Sequence, residues 1–234
     1  MRTMLTLERI ENLRAQIGLI FQRESRASVI EITVFAGAII LWGLLPLPRS
    51  VLPLVAFAWL SLWLRHITWR EIGLRKPDHL LSMILVGAGM AAGVALAGWL
   101  VVSPTITRLA GARPEIQGYA FLRGNILAWI GLILVTWPLA AILEEMVYRG
   151  YFLNRLADLF GRKTGGWLLS LICSSLVFAL AHGQYTAPFL VTSLLMGLLE
   201  GSLYLIWGQN LWMPIVVHGM ADTITFTLLF LGLI

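Results

Sequence analysis

Charge is what this chain has least of. Only 12% of its 234 residues are Asp, Glu, Lys or Arg, about half the share found in a soluble domain. That excludes an ordinary water-facing surface. With 59% hydrophobic residues and a mean hydropathy of +0.83, the composition is that of a helical protein crossing a membrane several times. Cysteine is nearly absent. Cys173 stands alone, so neither a disulfide within the monomer nor a C-x-x-C zinc motif can form, and in its apolar run it reads as a small buried packing residue. The H-E-x-x-H pair of ordinary zinc peptidases is missing as well. The first 27 residues lack an apolar core followed by small residues and carry five arginines among three glutamates, which excludes a secretory signal. No inverted repeat of the transporter kind is visible.

What the chain has is long apolar runs. They predict an all-α, polytopic transmembrane helical bundle of about seven spans, six to eight in all. The expected spans are 28–47, 51–66, 79–102, a long stretch over 124–160, 167–182, 187–207 and 211–232. Pro138 is expected to kink or break the long one, and 103–123 is expected to be a loop. Residues 1–27 read as an amphipathic, interfacial segment, with Leu13, Ile17, Ile20 and Phe21 at helical spacing. Residues 28–234 read as one transmembrane domain, its motif-bearing core at 124–232. Gly89 and Gly93 have the spacing that lets helices approach closely. Trp69, Trp207 and Trp212 fall near span ends, where an interfacial belt explains them. Thirteen Lys or Arg lie on one side of this topology and four on the other, which places the N-terminus in the cytoplasm. The net charge of +5 is therefore a topology signal and not a nucleic-acid patch.

Against this background a few ionisable residues stand out. Glu144 and Glu145 lie inside WPLAAILEEMVYRGYF, where ionised carboxylates are costly unless paired, solvated or protonated. Arg149 follows Glu145 by one turn on the same face, so the two can pair and neutralise each other. Glu144 points about 100° away and is left as the candidate general base towards a water molecule. His182 lies four residues after Phe178 on a second apolar run, and Asp222 four after His218 on a third. Residues four apart share a helix face. Glu200, between Gly197 and Gly201, reads as a supporting or packing carboxyl. Glu31, near the start of the first span, is expected to reach lipid headgroups, and His66 and His79 to be interfacial.

Glu144-Glu145-x-x-x-Arg149, Phe178-x-x-x-His182 and His218-x-x-x-Asp222 resemble, in order and in placement on separate apolar segments, the three motifs of the CPBP (Abi, type II CAAX-protease-like) intramembrane proteases. The resemblance covers about residues 124–232. It implies an intramembrane endopeptidase in which Glu144 activates water and His182, His218 and Asp222 complete the site, with Glu145 and Arg149 in support. The substrate implied is a membrane-associated protein or peptide, with prenylated CAAX-like chains among the candidates. The family's third motif often ends in Asn, whereas this chain has Asp222. Two cofactor readings stay open. In one, Glu144, His182, His218 and Asp222 supply ligands to a zinc ion; in the other the histidines stabilise an oxyanion without metal. The partners expected are membrane lipid and a peptide or lipidated protein, not nucleic acid, in a prokaryotic inner membrane. A non-catalytic peptide-binding or immunity protein, or a proton- or ion-coupled transporter, are the alternative functions.

Overall fold

The computed structural model describes residues 9, 11–16, 25–44, 50–111, 117–182 and 187–234. Seven helices carry most of them. We number these α1 (Ser25–Leu44), α2 (Leu52–Leu64), α3 (Leu80–Leu109), α4 (Ile126–Phe160), α5 (Thr164–Ala181), α6 (Ala187–Ile206) and α7 (Trp212–Leu231). Helices α3 to α7 are each long and apolar enough to cross a membrane, while the apolar stretches of α1 and α2 are shorter. Side chains such as Leu81, Leu127 and Leu134 are largely exposed. In water that would be unfavourable, but on a membrane protein it is the lipid-facing surface. The chain is an integral membrane protein with an all-helical bundle fold.

Local chemistry sets the helix ends. Pro53 opens α2, where its missing N–H costs nothing. Asn125 caps α4 by accepting from the Ala128 N–H at 3.1 Å. Gly232 closes α7 in a left-handed conformation, with φ of 69°.

Two expectations about breaks are corrected. Pro138 does not interrupt α4, which runs continuously for 35 residues, about 52 Å at the usual rise. It sits in a π-helical stretch, Trp137–Ile142, whose wider turn makes room for the proline ring. Likewise 103–110 is not loop: α3 passes through the π turn Gly98–Val102 and on past Pro104.

Helix α4 lies at the centre. Its Tyr148, Tyr151 and Phe152 pack with Phe35, Leu62 and Phe178 of α1, α2 and α5. Leu153 packs with Leu171, Tyr204 and Ile215 of α5, α6 and α7. The expected close approach at Gly89 and Gly93 does not occur, since a Cβ at either would meet nothing within 4 Å. Helix α3 instead meets α7 at Gly87, where a Cβ would lie 2.6 Å from Val216 Cγ1. Helices α5 and α6 come together at Gly197, where a Cβ would lie 3.0 Å from the Ser175 backbone.

Glu31 does not reach the headgroups. It is buried, with Ser61 Oγ and Tyr151 Oη donating to its Oε1 and Arg65 Nη2 donating to its Oε2. This network staples α1, α2 and α4. Of the expected amphipathic segment, residues 11–16 are helical; Ile17, Ile20 and Phe21 lie outside the described residues. Arg14 there donates to the Trp63 carbonyl at 2.7 Å and stacks over the Trp63 ring.

Candidate active site

Four helices bring ionisable side chains to one place in the bundle. Helix α4 supplies Glu144, Glu145 and Arg149, the end of α5 supplies His182, α6 supplies Glu200, and α7 supplies His218 and Asp222. A second π-helical stretch, Met146–Phe152, follows the two glutamates directly.

The group divides into a sealed part and an open part. In the sealed part Arg149 Nη1 donates to Glu145 Oε1 at 2.6 Å, and Nη2 lies 2.8 Å from Glu200 Oε2. His218 Nδ1 is 2.9 Å from Glu145 Oε1 and 3.4 Å from Glu200 Oε1. The side chains of Glu145 and Glu200 are fully buried and Arg149 is 2% exposed. A carboxylate oxygen only accepts, so Nδ1 is the protonated nitrogen of His218 when both acids are ionised. That turns Nε2 towards Asp222 Oδ2, 3.6 Å away.

The open part is the pair Glu144 and His182, with Asp222 beside them. Their side chains are 22%, 29% and 33% exposed. Glu144 Oε2 lies 3.9 Å from His182 Nε2, too far for a direct hydrogen bond and suited to one bridging water. His182 follows the last residue of α5, and its Nδ1 is 2.8 Å from the Phe178 carbonyl. A carbonyl is an acceptor, so that nitrogen carries the hydrogen and Nε2 presents a lone pair towards Glu144 in the neutral ring. Phe178 links the two parts. The Arg149 guanidinium lies 4.4 Å from its ring centre and the His182 ring 4.3 Å from it.

All six residues expected from the sequence are thus near one another, but they do not form one ligand shell. The group with three converging donor atoms, all within 4.8 Å of one another, is Glu145, Glu200 and His218. Only His218 belongs also to the expected zinc set of Glu144, His182, His218 and Asp222. These donors have the chemistry of a metal site. However, Arg149 sits against the oxygens of both carboxylates, so a divalent ion among them would face a permanent positive charge at close range. The guanidinium balances only one of the two carboxylates, so this group could hold a metal only in competition with Arg149 for the same oxygens. Glu200 is the residue whose contact the sequence underestimated. Its signal was an acid flanked by two glycines in an otherwise apolar span, which marks a close helix crossing but not what the acid touches.

A family model described as type II CAAX prenyl endopeptidase Rce1-like matches residues 125–224, the stretch that holds every residue of this site. The membrane-embedded CAAX protease MroQ of Staphylococcus aureus (strain USA300) is 25% identical over 164 residues, which is 68% of this chain and 62% of that protein. The chain is therefore matched to less than two thirds of that relative's length. No solved structure matches the chain.

Proposed function

We propose that the chain, similar over residues 125–224 to the type II CAAX prenyl endopeptidase Rce1-like family and to a CAAX protease, is a CPBP-type intramembrane endopeptidase using a glutamate-activated water. One observation carries this reading. Glu144 Oε2 is buried, makes no hydrogen bond within the described protein, and faces the lone-pair side of His182. An unsatisfied buried acceptor calls for a partner, and a water donating to Glu144 beside His182 meets that need.

In the proposed reaction Glu144 takes a proton from this water as its oxygen attacks the scissile carbonyl carbon. The peptide carbonyl becomes an oxyanion. His218, held at Nδ1 by Glu145 and Glu200, donates from Nε2 to that oxyanion when its ring is protonated. The charge count favours this, because two carboxylates face one guanidinium and an imidazolium completes the balance. Glu144 then passes its proton to the leaving amine as the C–N bond breaks, giving a carboxylic acid and a free amine. Asp222 orients the Nε2 edge of His218 from the open side. No step requires a metal.

The substrate proposed is a membrane-associated peptide or protein, lipidated or not, that reaches the site from within the bilayer. Purified protein in detergent, offered lipidated and unlipidated peptides with and without chelator, tests the proposal. Glu144→Gln is expected to lower kcat by about 100- to 10,000-fold, the usual worth of a general base, with its thermal midpoint unchanged. Chelator is expected to leave the rate unchanged. Full activity of Glu144→Gln would remove Glu144 as the base, and zinc-reversible inhibition by chelator would restore a metal mechanism.

A further inference from the structure

We propose that Glu200, which lies outside all three motifs, is a positioning residue that holds Arg149 and the Nδ1 edge of His218 in one arrangement behind the reacting groups. This rests on the proteolytic reading above. Glu200 is the only Asp, Glu, Lys, Arg or His in Ala187–Ile206. A helix otherwise free of charge has no need of a buried carboxylate for its own stability, since hydrophobic residues of similar size pack there without desolvation cost.

The seating of α6 is built around this residue. Gly197 stands about one turn before it and Gly201 directly after it. At Gly197 an added Cβ would press on the Ser175 backbone at 3.0 Å, and at Gly201 on Leu171 Cδ1 at 2.4 Å. The Gly197 carbonyl also accepts from Arg149 Nη2 at 3.4 Å. The two glycines let α6 approach α5 closely enough for a short acidic side chain to reach both Arg149 and His218. Glu145 contacts the same two partners from α4, so the guanidinium and the imidazole are each gripped from two helices. With Glu200 removed, Arg149 keeps the Gly197 carbonyl and the Phe178 ring, but the Nδ1 edge of His218 is held by Glu145 alone, and His218 gains freedom to rotate its Nε2 away from the oxyanion. Partners of this kind typically change activity by about 10- to 100-fold.

Glu200 is fully buried, so it does not touch substrate. Its loss should therefore appear in kcat and leave KM alone. A carboxyl that merely packs would alter stability without that split.

The experiment compares wild type, Glu200→Gln, Arg149→Gln and the double variant, with Glu144→Gln as reference. Peptide cleavage and thermal unfolding are both measured in detergent. Glu200→Gln keeps size and hydrogen-bonding capacity, and a folded protein with kcat lowered about 10- to 100-fold at unchanged KM is expected. Arg149→Gln leaves two carboxylates uncompensated, and adding Glu200→Gln is expected to raise its thermal midpoint again, a non-additive result that direct contact requires. Wild-type kcat in Glu200→Gln, beside an inactive Glu144→Gln, overturns this proposal and leaves the proteolytic reading standing. A changed KM at unchanged kcat also overturns it, by placing Glu200 on the substrate. If wild type cleaves no peptide, the proteolytic reading falls. The thermal cycle then judges Glu200 alone, with recovery supporting its hold on Arg149 and additivity overturning it.

Discussion

Glu31 and Glu200 are both acids buried among apolar helices, and both meet an arginine from another helix. Their oxygens are treated differently. Glu31 receives hydrogen bonds from Ser61, Tyr151 and Arg65, so each oxygen is satisfied. In the other cluster Glu144 Oε2, Glu145 Oε2 and both oxygens of Glu200 lack a hydrogen bond within the described protein, and Glu200 meets Arg149 through charge contact without hydrogen-bond alignment. A closed network has its desolvation cost offset locally and fixes the helices around it. An under-satisfied one has acceptors to spare for water, substrate or a moving proton. We read the first as a staple and the second as a working site.

Mutations that remove one partner separate the two. The largest effect is expected for Arg149→Met, which strands two buried carboxylates. Losing one partner of a buried pair typically costs about 3–5 kcal/mol, and this variant is expected near the top of that range, with cleavage abolished. Arg65→Met is expected near the bottom, at about 3 kcal/mol, because Ser61 and Tyr151 still donate to Glu31. Its folded fraction should cleave at the wild-type kcat. If kcat falls with Arg65→Met, the staple is part of the site and the distinction is wrong. Gly197→Ala should cost about 1–3 kcal/mol through overpacking against the Ser175 backbone, and should lower kcat by displacing Glu200, visible as a lower rate at saturating peptide. The smallest change is expected for Tyr151→Phe, about 1.5 kcal/mol for one hydrogen bond to a charged group, read as a shift in the denaturation midpoint with activity intact.

Much of the site was legible because it is local. Glu145 and Arg149 are four residues apart on a helix, so their contact follows from the helical repeat alone. The same repeat turned Glu144 away from Arg149, and the structure finds it facing His182 instead. What could not be read depends on how helices rotate and cross. Ser61, Arg65 and Tyr151 meet Glu31 across separations of 30, 34 and 120 residues, and nothing in the spacing of a single helix encodes them. The π turns beside Pro104 and Pro138 were hidden for another reason. A proline signals a lost hydrogen bond, and only the surrounding packing decides whether the helix breaks or widens.

The two glycine pairs draw the boundary most clearly. Gly89 with Gly93 and Gly197 with Gly201 have identical spacing, yet the first pair faces open space and the second seats α6 against α5. Sequence determined that this chain is a bundle of apolar helices carrying a few acids, histidines and an arginine in register, because burying backbone in lipid leaves helices as the solution and the helical repeat assigns each residue its face. Tertiary structure alone decided which faces meet. That choice rests on shape complementarity summed over whole helices, and it joined Glu200 to the site while closing Glu31 away from it.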